Sequence, residues 1–380
     1  MISAATNLLM RSFQTSIWRE GFHCRALVLG GYLALASIAS GAVAGRVVAW
    51  GANDHNQLHV PAGLNDAIAV SAGQYHSLAL KSDGTVVAWG ENGDGQGSVP
   101  AGLSNVVAIS AGYMHNLALK QDGTVVAWGN NWYGQGAASS DLTNISRISA
   151  GYLHNIVLRS NGVAVAWGWN GYGQTTVPNN SNIVDVAAGG LLTMILKNTG
   201  MTVGFGNLAF GSVGGAQAVA PGYEHNMALL SNGTVVAWGN ATWLQTSVPS
   251  SLNGVAAVSG THYHCLALRT NGVVVGWGRN DQGQGRPPAW LTNALAVSTG
   301  ELHSLAIIPN PPAPKLSIRV SLTDVVLTWP VPEEAFVLTS ATNLGSPFTL
   351  ENPLLSTNAQ GVSATLPVTG AQKFFRLRKP

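Results

Sequence analysis

Six histidines recur along the chain with a period of about 39 residues, and their side chains are the first candidates for chemistry. They are His76, His115, His154, His225, His264 and His303, with Leu192 in the seventh place of the series. Imidazole can bind a metal ion or relay protons. A repeat places one histidine in each structural unit, however, whereas a tetrahedral metal needs several ligands within about 2 Å of one point. We therefore expect no metal site and a repeated structural role, in which a ring nitrogen bonds the backbone of the neighbouring strand or loop.

Carboxylates offer a second route to catalysis. Glu91, Asp94, Glu224 and Glu301 could converge on one edge of the fold as an acid pair for polysaccharide cleavage. No Gly-x-Ser-x-Gly motif, phosphate loop or Cys/His metal spacing accompanies them. The sequence therefore predicts a protein that is not an enzyme and needs no cofactor, with a polysaccharide-active enzyme as the less favoured alternative.

A Trp-Gly pair also recurs along the chain and closes the predicted hairpins. The tryptophans are Trp50, Trp89, Trp128, Trp167, Trp238 and Trp277, and Phe205 fills the missing place. In one unit, apolar residues 115–119 and 125–128 flank the turn Asp122-Gly123, which is the strongest short-range signal for a hairpin. We expect each tryptophan to fill the space between two sheets.

A period near 40 residues with several strands per unit is typical of a propeller or a solenoid. Residues 46–51 are the end of a hairpin whose first half is absent, and residues 303–308 are the start of one whose second half is absent. Pairing the two closes a ring and removes exposed sheet edges, whereas a solenoid would need polar capping repeats. We expect an all-β, seven-bladed β-propeller over residues 45–308. Each blade should have three strands and a short fourth one, which in the second unit lies near Gln135.

The repeated Ala-Gly-x-x-His-x-x-Ala-Leu, Asp-Gly, Val-x-x-Trp-Gly and Gly-Gln signature over residues 46–308 resembles the regulator of chromosome condensation repeat family. The resemblance implies a seven-bladed propeller. The short repeat with Val-Pro-Ala-Gly-Leu at residues 60–64 and 99–103 is most similar in style to the secreted beta-lactamase inhibitory protein II type. That likeness implies a protein partner bound through one rim, without identifying it. The nuclear members' nucleotide-exchange wedge and basic tails have no counterpart here.

The loops after the Trp-Gly pairs vary in sequence and carry aromatic residues at one equivalent position of four consecutive units. Antiparallel connections place these loops and the Ala-Gly-x-x-His loops on the same rim. Aromatic residues with polar neighbours are typical of binding hot spots, so we predict a partner-binding rim, although each ring could instead pack against its own loop. Its aromatic residues are Trp132, Tyr133, Trp169, Tyr172, Phe210, Trp243, Tyr113, Tyr152 and Tyr223. Asp54, Asp94 and Asp281, with Arg279, are expected on the opposite arc. A protein partner is favoured, and a glycan is the alternative because aromatic arcs also stack on sugars.

The first 44 residues lie outside the repeat. Arg11, Arg19 and Arg25 precede an apolar run over residues 26–39 and small residues ending at Ala44, which is the order of a secretory signal peptide. We expect cleavage after Ala44 and a secreted or cell-envelope protein; a retained membrane anchor is the alternative, and Met10 is an alternative start. Cleavage removes three of the 18 Lys and Arg residues and one of the 16 Asp and Glu residues, which leaves no net charge. Clustered positive charge for nucleic-acid binding is therefore not expected.

The C-terminal residues form a separate predicted module. Residues 309–314 are a proline-rich linker, and residues 315–380 are expected to form a small fibronectin-like β-sandwich, similar to modules of exported bacterial proteins. Its strands are predicted at residues 316–320, 325–329, 336–340, 363–366 and 374–377. Cleavage would leave Cys265 as the one cysteine, so we expect it to pack as a small residue in a protein without an intramolecular disulfide. A monomer is the default expectation.

Overall fold

A computed structural model describes most of the chain after the predicted signal peptide. The described residues are 43–178, 181–207, 211–311, 317–320, 324–329, 337–341, 349–350, 354–358, 361–367 and 374–378. They form β-strands, turns and loops without a helix, so a membrane-length apolar helix is not found among them. The chain divides after Asn310 into two compact units, and each is described by itself. The predicted signal peptide up to residue 42 and linker residues 312–314 lie outside the described residues.

In the first unit every repeat contributes three strands, numbered here along the chain. The third strand of the last repeat is the N-terminal strand of the unit, Gly45–Gly51 (β1). The first strands are Ala67–Ala72 (β2), Val106–Ala111 (β5), Ile145–Ala150 (β8), Ile183–Ala188 (β11), Ala216–Pro221 (β14), Val255–Gly260 (β17) and Ala296–Thr299 (β20). The second strands are His76–Lys81 (β3), His115–Lys120 (β6), His154–Arg159 (β9), Leu192–Lys197 (β12), His225–Leu230 (β15), His264–Arg269 (β18) and His303–Pro309 (β21). The other third strands are Val86–Gly90 (β4), Val125–Gly129 (β7), Ala164–Gly168 (β10), Thr202–Gly206 (β13), Val235–Gly239 (β16) and Val274–Gly278 (β19).

Within a repeat the three strands pair antiparallel in chain order. In the second repeat the register runs from His115–Gly129 to Leu119–Val125, and Gly123 donates its N–H to the carbonyl of Lys120 at 2.9 Å to close the turn. The predicted short fourth strand near Gln135 is wrong, because residues 132–136 form turns and a bend. The side chain of Gln135 accepts the N–H of Tyr133 at 2.8 Å, which holds this segment as a compact loop.

The N-terminal and C-terminal strands of the first unit pair with each other. Strands β21 and β1 are antiparallel over their whole length, from Gly45–Pro309 to Gly51–His303. A single pair, Gly45–Ala67, then joins β20–β21–β1 to β2–β3–β4 in one six-stranded sheet. The other repeats form five separate three-stranded sheets. Each first strand contacts the first strand of the following repeat, and β20 contacts β2.

Apolar clusters between successive repeats form the core. Trp128, for example, packs in one cluster with Leu78 of the preceding repeat and Ile109 of its own. The glycine after each tryptophan allows a close strand crossing: Gly90 has φ +95°, and a Cβ there would lie 2.5 Å from the carbonyl oxygen of Tyr75. Only glycine adopts this conformation without strain, which explains the recurring Trp-Gly pair.

The C-terminal unit contains two antiparallel sheets. Its strands are Ser317–Val320 (β22), Asp324–Trp329 (β23), Val337–Ala341 (β24), Thr349–Leu350 (β25), Leu354–Asn358 (β26), Gly361–Pro367 (β27) and Phe374–Arg378 (β28). The sheet orders are β22–β23–β27–β26 and β25–β24–β28. Strands β25 and β26 add to the five predicted from the sequence, and the paired residues Leu327 and Ala364 are fully buried.

Candidate functional site

Each repeat histidine bonds a side chain of the following repeat. The pairs are His76–Asn116 at 2.7 Å, His115–Asn155 at 2.8 Å, His154–Thr193 at 2.7 Å, His225–Cys265 at 3.2 Å, His264–Ser304 at 2.8 Å and His303–Ser77 at 3.0 Å. The predicted backbone partner is therefore wrong. The partner is the side chain next to the following repeat's histidine, or next to Leu192. Cys265 takes part as one of these partners.

These histidines are fully buried, and burial lowers their pKa. The pKa falls to about 4 for His76 and to about 3 for His154. The imidazoles are therefore neutral at neutral pH and act as hydrogen-bond groups between sheets. Within the described residues, no three His, Cys, Asp or Glu side chains are grouped to hold a metal ion.

A buried glutamine organises the loop after each Trp-Gly pair. The Gln96 carbonyl accepts the Asn116 amide at 2.9 Å and the Trp128 indole N–H at 3.2 Å, both from the next repeat. The Gln96 side chain accepts the N–H of Asp94 at 2.9 Å. The recurring Gly-Gln in the sequence signals this role, although the expectation from sequence did not assign it. The loops thus have one shape and differ in the side chains they carry.

Four of the described aromatic side chains of these loops are exposed. The exposed fraction is 74% for Trp132, 49% for Tyr133, 51% for Tyr172 and 43% for Trp243. Trp169 is half-buried, with its ring centroid 6.2 Å from that of Tyr133 and 5.3 Å from that of Tyr172. Three loop aromatics of two neighbouring repeats therefore form one cluster. Phe210, also predicted here, lies outside the described residues.

Charged residues of the predicted rim contact neighbouring loops that carry aromatic side chains. The Arg279 guanidinium lies 5.0 Å from the Trp243 ring centroid and bonds both carboxylate oxygens of Asp281 at 2.9 and 2.7 Å. Asp94 accepts the side-chain amide of Asn130 at 2.8 Å, in the loop that carries Trp132. These contacts join neighbouring loops, and the expected arc of charged residues opposite the aromatic ones stays a prediction. Asp54 is exposed in the loop after β1.

A second set of side chains stands two residues before each repeat histidine, and we call it the inner ring. Its members are Gln74, Tyr113, Tyr152, Gly190, Tyr223, His262 and Glu301. Main-chain bonds link the inner-ring loops of successive repeats: Gln74 N–H donates to Tyr113, Tyr223 N–H to His262, and Glu301 N–H returns to Gly73, at 3.1, 3.4 and 3.2 Å. These bonds join inner-ring loops of neighbouring repeats, and the last of them joins the last repeat to the first.

Aromatic side chains of the inner ring are in mutual contact. The ring centroids of Tyr113 and Tyr152 are 3.8 Å apart, those of Tyr152 and Tyr223 are 5.4 Å apart, and His262 stacks on Tyr223 at 5.6 Å. Tyr263 adjoins Tyr223 at 5.8 Å. The sequence-predicted Tyr113, Tyr152 and Tyr223 therefore meet at one place.

The expectation from sequence missed His262 and Tyr263 and assigned Glu301 to a possible acid pair. The signal that could have found them is their place in the repeat, one or two residues before a repeat histidine. These positions vary between repeats while the surrounding scaffold residues recur. Varied residues on a constant scaffold are a common sign of a binding surface.

Comparisons with known proteins identify the repeat. A model of the regulator of chromosome condensation (RCC1) repeat matches residues 67–96, 106–135, 145–174 and 255–284. Four segments of the chain thus match the RCC1 repeat, which confirms the resemblance to that repeat family. No curated protein matches the chain.

Solved structures with the same fold have low sequence identity. Prp20p from Saccharomyces cerevisiae, described with its binding to Gsp1p and histones, is 17% identical over 72% of this chain and 93% of its own, with a TM-score of 0.59. Yeast RCC1 (Prp20) bound to Kap60 is 14% identical over 76% of this chain and 92% of its own, with a TM-score of 0.62. Human WBSCR16 is 18% identical over 70% of this chain and 100% of its own, with a TM-score of 0.56. The repeated three-stranded sheets therefore resemble the RCC1 β-propeller.

Proposed function

We propose that this chain is an exported, non-catalytic binding scaffold that recognises another protein through the rim of exposed loop aromatics. We further propose that the three-stranded sets of residues 45–310 form seven blades of one propeller. In this proposal the two sheets of the C-terminal unit form a sandwich module.

The observation that carries the proposal is the exposure of large aromatic side chains on loops whose backbone is held rigidly. Trp132, Tyr133 and Trp243 extend into solvent from loops fixed by buried glutamines, such as Gln135 and Gln245. A rigid platform loses little conformational entropy on binding, and Trp and Tyr are enriched in interface hot spots. Prp20p, with a similar fold, binds protein partners. Fold similarity by itself does not transfer a partner.

The test begins with affinity capture from the native secretome and cell envelope, using residues 45–380. A captured protein is then purified, and its direct binding is measured by calorimetry. We expect the triple variant Trp132→Ala, Tyr133→Ala, Trp243→Ala to bind at least tenfold more weakly, which corresponds to about 1.4 kcal/mol. Its melting temperature should equal that of the unmodified protein, since these side chains are exposed.

The matched control is Trp290→Ala. Trp290 is 61% exposed but lies in the segment that leads into the first strand β20. This segment is at the edge of the sheets opposite to the loops that follow the Trp-Gly pairs. The control should bind like the unmodified protein. Equal binding by the triple variant would contradict the proposed rim. Retention on immobilised glycans that the triple variant loses would assign the same rim to carbohydrate.

Export is a separate part of the proposal. It is supported by the basic, apolar and small-residue order of residues 1–44 and by the start of β1 at Gly45, next to the expected cleavage site. The test is N-terminal sequencing of the protein recovered outside the cytoplasm. A mature N-terminus at Gly45 is expected, and an intact N-terminus in the membrane fraction would contradict cleavage.

A further inference from the structure

Asn-Gly pairs occur at six places in the chain. In such a pair the backbone nitrogen of the glycine can attack the side-chain carbonyl carbon of the asparagine, because glycine has no Cβ to hinder the approach. The attack requires an amide group that can rotate toward that nitrogen. The hydrogen bonds of each pair therefore decide which asparagine can react. The pairs are residues 92–93, 161–162, 170–171, 232–233, 253–254 and 271–272.

In five of the six pairs the side-chain carbonyl oxygen of the asparagine accepts a backbone N–H from a nearby residue. Each bond ties the amide group to its own turn or loop. Rotation of the amide toward the following glycine would break it. The donors are Gly97 for Asn92 at 2.8 Å, Val163 for Asn161 at 3.2 Å, Thr175 for Asn170 at 2.8 Å, Thr234 for Asn232 at 3.0 Å and Val273 for Asn271 at 3.2 Å.

In four of these five pairs the glycine N–H is bonded as well. Gly93 donates to the Glu91 carboxylate at 2.8 Å, and the other three glycines close the turn between a second and a third strand. The nitrogen must lose this proton to attack the amide, so the reaction also breaks these bonds. The turn bonds run from Gly162 to the carbonyl of Arg159, from Gly233 to that of Leu230 and from Gly272 to that of Arg269, each at 2.9 Å.

The pair Asn253-Gly254 has neither restraint. Both residues are exposed and lie directly before β17. Within the described part of the chain, neither the Asn253 side chain nor the Gly254 N–H makes a hydrogen bond. The Gly254 carbonyl, in contrast, accepts the N–H of Thr270 at 2.8 Å. The amide of Asn253 is therefore free to rotate beside a glycine whose position is fixed by its carbonyl.

We propose that Asn253 is a site of spontaneous deamidation in the folded protein. The Gly254 nitrogen forms a bond to the side-chain carbonyl carbon of Asn253, and the amide nitrogen leaves as ammonia, taking up through solvent the proton that Gly254 loses. Water then opens the resulting cyclic imide. Cleavage of the bond to the side-chain carbonyl gives aspartate, and cleavage of the bond to the backbone carbonyl gives isoaspartate. Water is the only co-reactant.

The two products should affect the fold differently. Aspartate adds a negative charge at an exposed position and leaves the backbone unchanged. Isoaspartate lengthens the main chain by a methylene group directly before Gly254. This change displaces the Gly254 carbonyl from the Thr270 N–H, or shifts β17 at its first pair, Val255–Arg269. We therefore expect isoaspartate, and not aspartate, to lower the melting temperature.

The test is incubation of residues 45–380 at mildly alkaline pH, followed by digestion and mass spectrometry at increasing times. Electron-transfer fragmentation distinguishes aspartate from isoaspartate in each peptide. We expect Asn253 to react about tenfold faster than Asn92, Asn161, Asn232 and Asn271, because the attack there must break hydrogen bonds. Asn170, restrained only through its side chain, should react at an intermediate rate. In guanidinium chloride the six rates should become similar, since glycine follows every one of these asparagines.

Equal rates at the six asparagines of the folded protein, or a faster reaction at one of the turns, would overturn the proposal. A difference that persists in guanidinium chloride would also contradict it, because the fold would then not be the cause.

Two matched variants complete the test. Asn253→Gln, whose longer side chain forms the cyclic imide much more slowly, should remove most of the ammonia released by the folded protein. The control Asn232→Gln, at a bonded pair, should leave that release unchanged, and equal release from the two variants would contradict the assignment to Asn253. Asn253→Asp should melt like the unmodified protein, whereas aged protein that contains isoaspartate should melt at a lower temperature. Because no partner is involved, this outcome does not depend on the proposed binding rim.

Discussion

The imidazole of His303 lies 3.0 Å from the hydroxyl of Ser77, although 226 residues separate them. The Ser77 hydroxyl also bonds the Gln57 carbonyl, to which it donates its one proton, so it accepts from Nε2–H of His303. The neutral imidazole of His303 therefore carries its proton on Nε2. The last repeat is thereby joined to the first through the same side-chain contact that joins His264 to Ser304 within the chain.

Removing either hydroxyl should therefore have the same effect. We expect Ser77→Ala and Ser304→Ala each to lower the free energy of unfolding by about 1–2 kcal/mol, because each leaves a buried imidazole donor without a partner. Urea denaturation at pH 7.5 measures both. A normal loss for Ser304→Ala with no loss for Ser77→Ala would show that the contact between the first and last repeats is not made in solution.

Leu192 leaves one contact of this series unmade. The Asn226 side-chain oxygen, which corresponds to the acceptors of His76 and His115, is buried without a hydrogen-bond partner in the described structure. We expect Leu192→His to donate to Asn226, with a coupling free energy of about 1 kcal/mol. Urea denaturation of the single variants Leu192→His and Asn226→Ala and of the double variant measures it. Additive effects of the two changes would contradict the predicted bond.

Stability should fall in mild acid because the repeat histidines have lower pKa values in the folded protein than in the unfolded chain. The folded pKa is about 4 for His115 and about 3 for His154, against about 6.5 when unfolded. Below pH 6.5 the unfolded chain therefore binds protons that the folded protein does not. Each such histidine should lower the free energy of unfolding by about 1.4 kcal/mol per pH unit between 6.5 and its folded pKa.

Urea midpoints at pH 7.5, 6.5 and 5.5 measure this dependence. The variant His154→Leu introduces the residue type found at Leu192. Below pH 6.5 it should reduce the dependence of the free energy of unfolding on pH by the contribution of one histidine, whatever its effect on stability at pH 7.5. A free energy of unfolding that stays constant from pH 7.5 to 5.5 would be incompatible with neutral buried imidazoles.

Leu244 has a left-handed backbone conformation, with φ +62°. Asn56 and Gly95 occupy the equivalent place in other repeats, directly before the buried glutamine. A non-glycine residue with a bulky side chain pays about 1–2 kcal/mol for this conformation. We expect Leu244→Asn to raise the free energy of unfolding by about 1 kcal/mol.

Leu295→Asn is the control for this change. Leu295 is an exposed leucine without a positive φ, so its replacement should leave stability within about 0.5 kcal/mol. Thermal and urea denaturation of the two variants compare them directly. Equal effects at the two sites would show that the backbone of Leu244 is not strained.

The strands were predictable because their signals are local. The Asp122-Gly123 turn, the apolar runs around it and the Trp-Gly pair define a hairpin within about 15 residues. The exposed positions of Trp132, Tyr133 and Trp243 also follow from the repeat, since residues that vary on a constant scaffold point away from the core. The prediction of a fourth strand was wrong because the side chain of the buried Gln135, rather than a neighbouring strand, accepts the backbone N–H of Tyr133 in the loop.

The sequence by itself determined which residues are equivalent: a period places one histidine, one tryptophan and one variable loop in each repeat. Only the tertiary structure decided which residues meet. The partner of His303, the place of Arg279 beside Trp243 and the contact between Tyr113 and Tyr152 each arise between repeats. Their distances depend on how one sheet packs on the next. Packing of side chains across repeats is not encoded in spacing along the chain, and it is this packing that brings the tyrosines, His262 and Glu301 together.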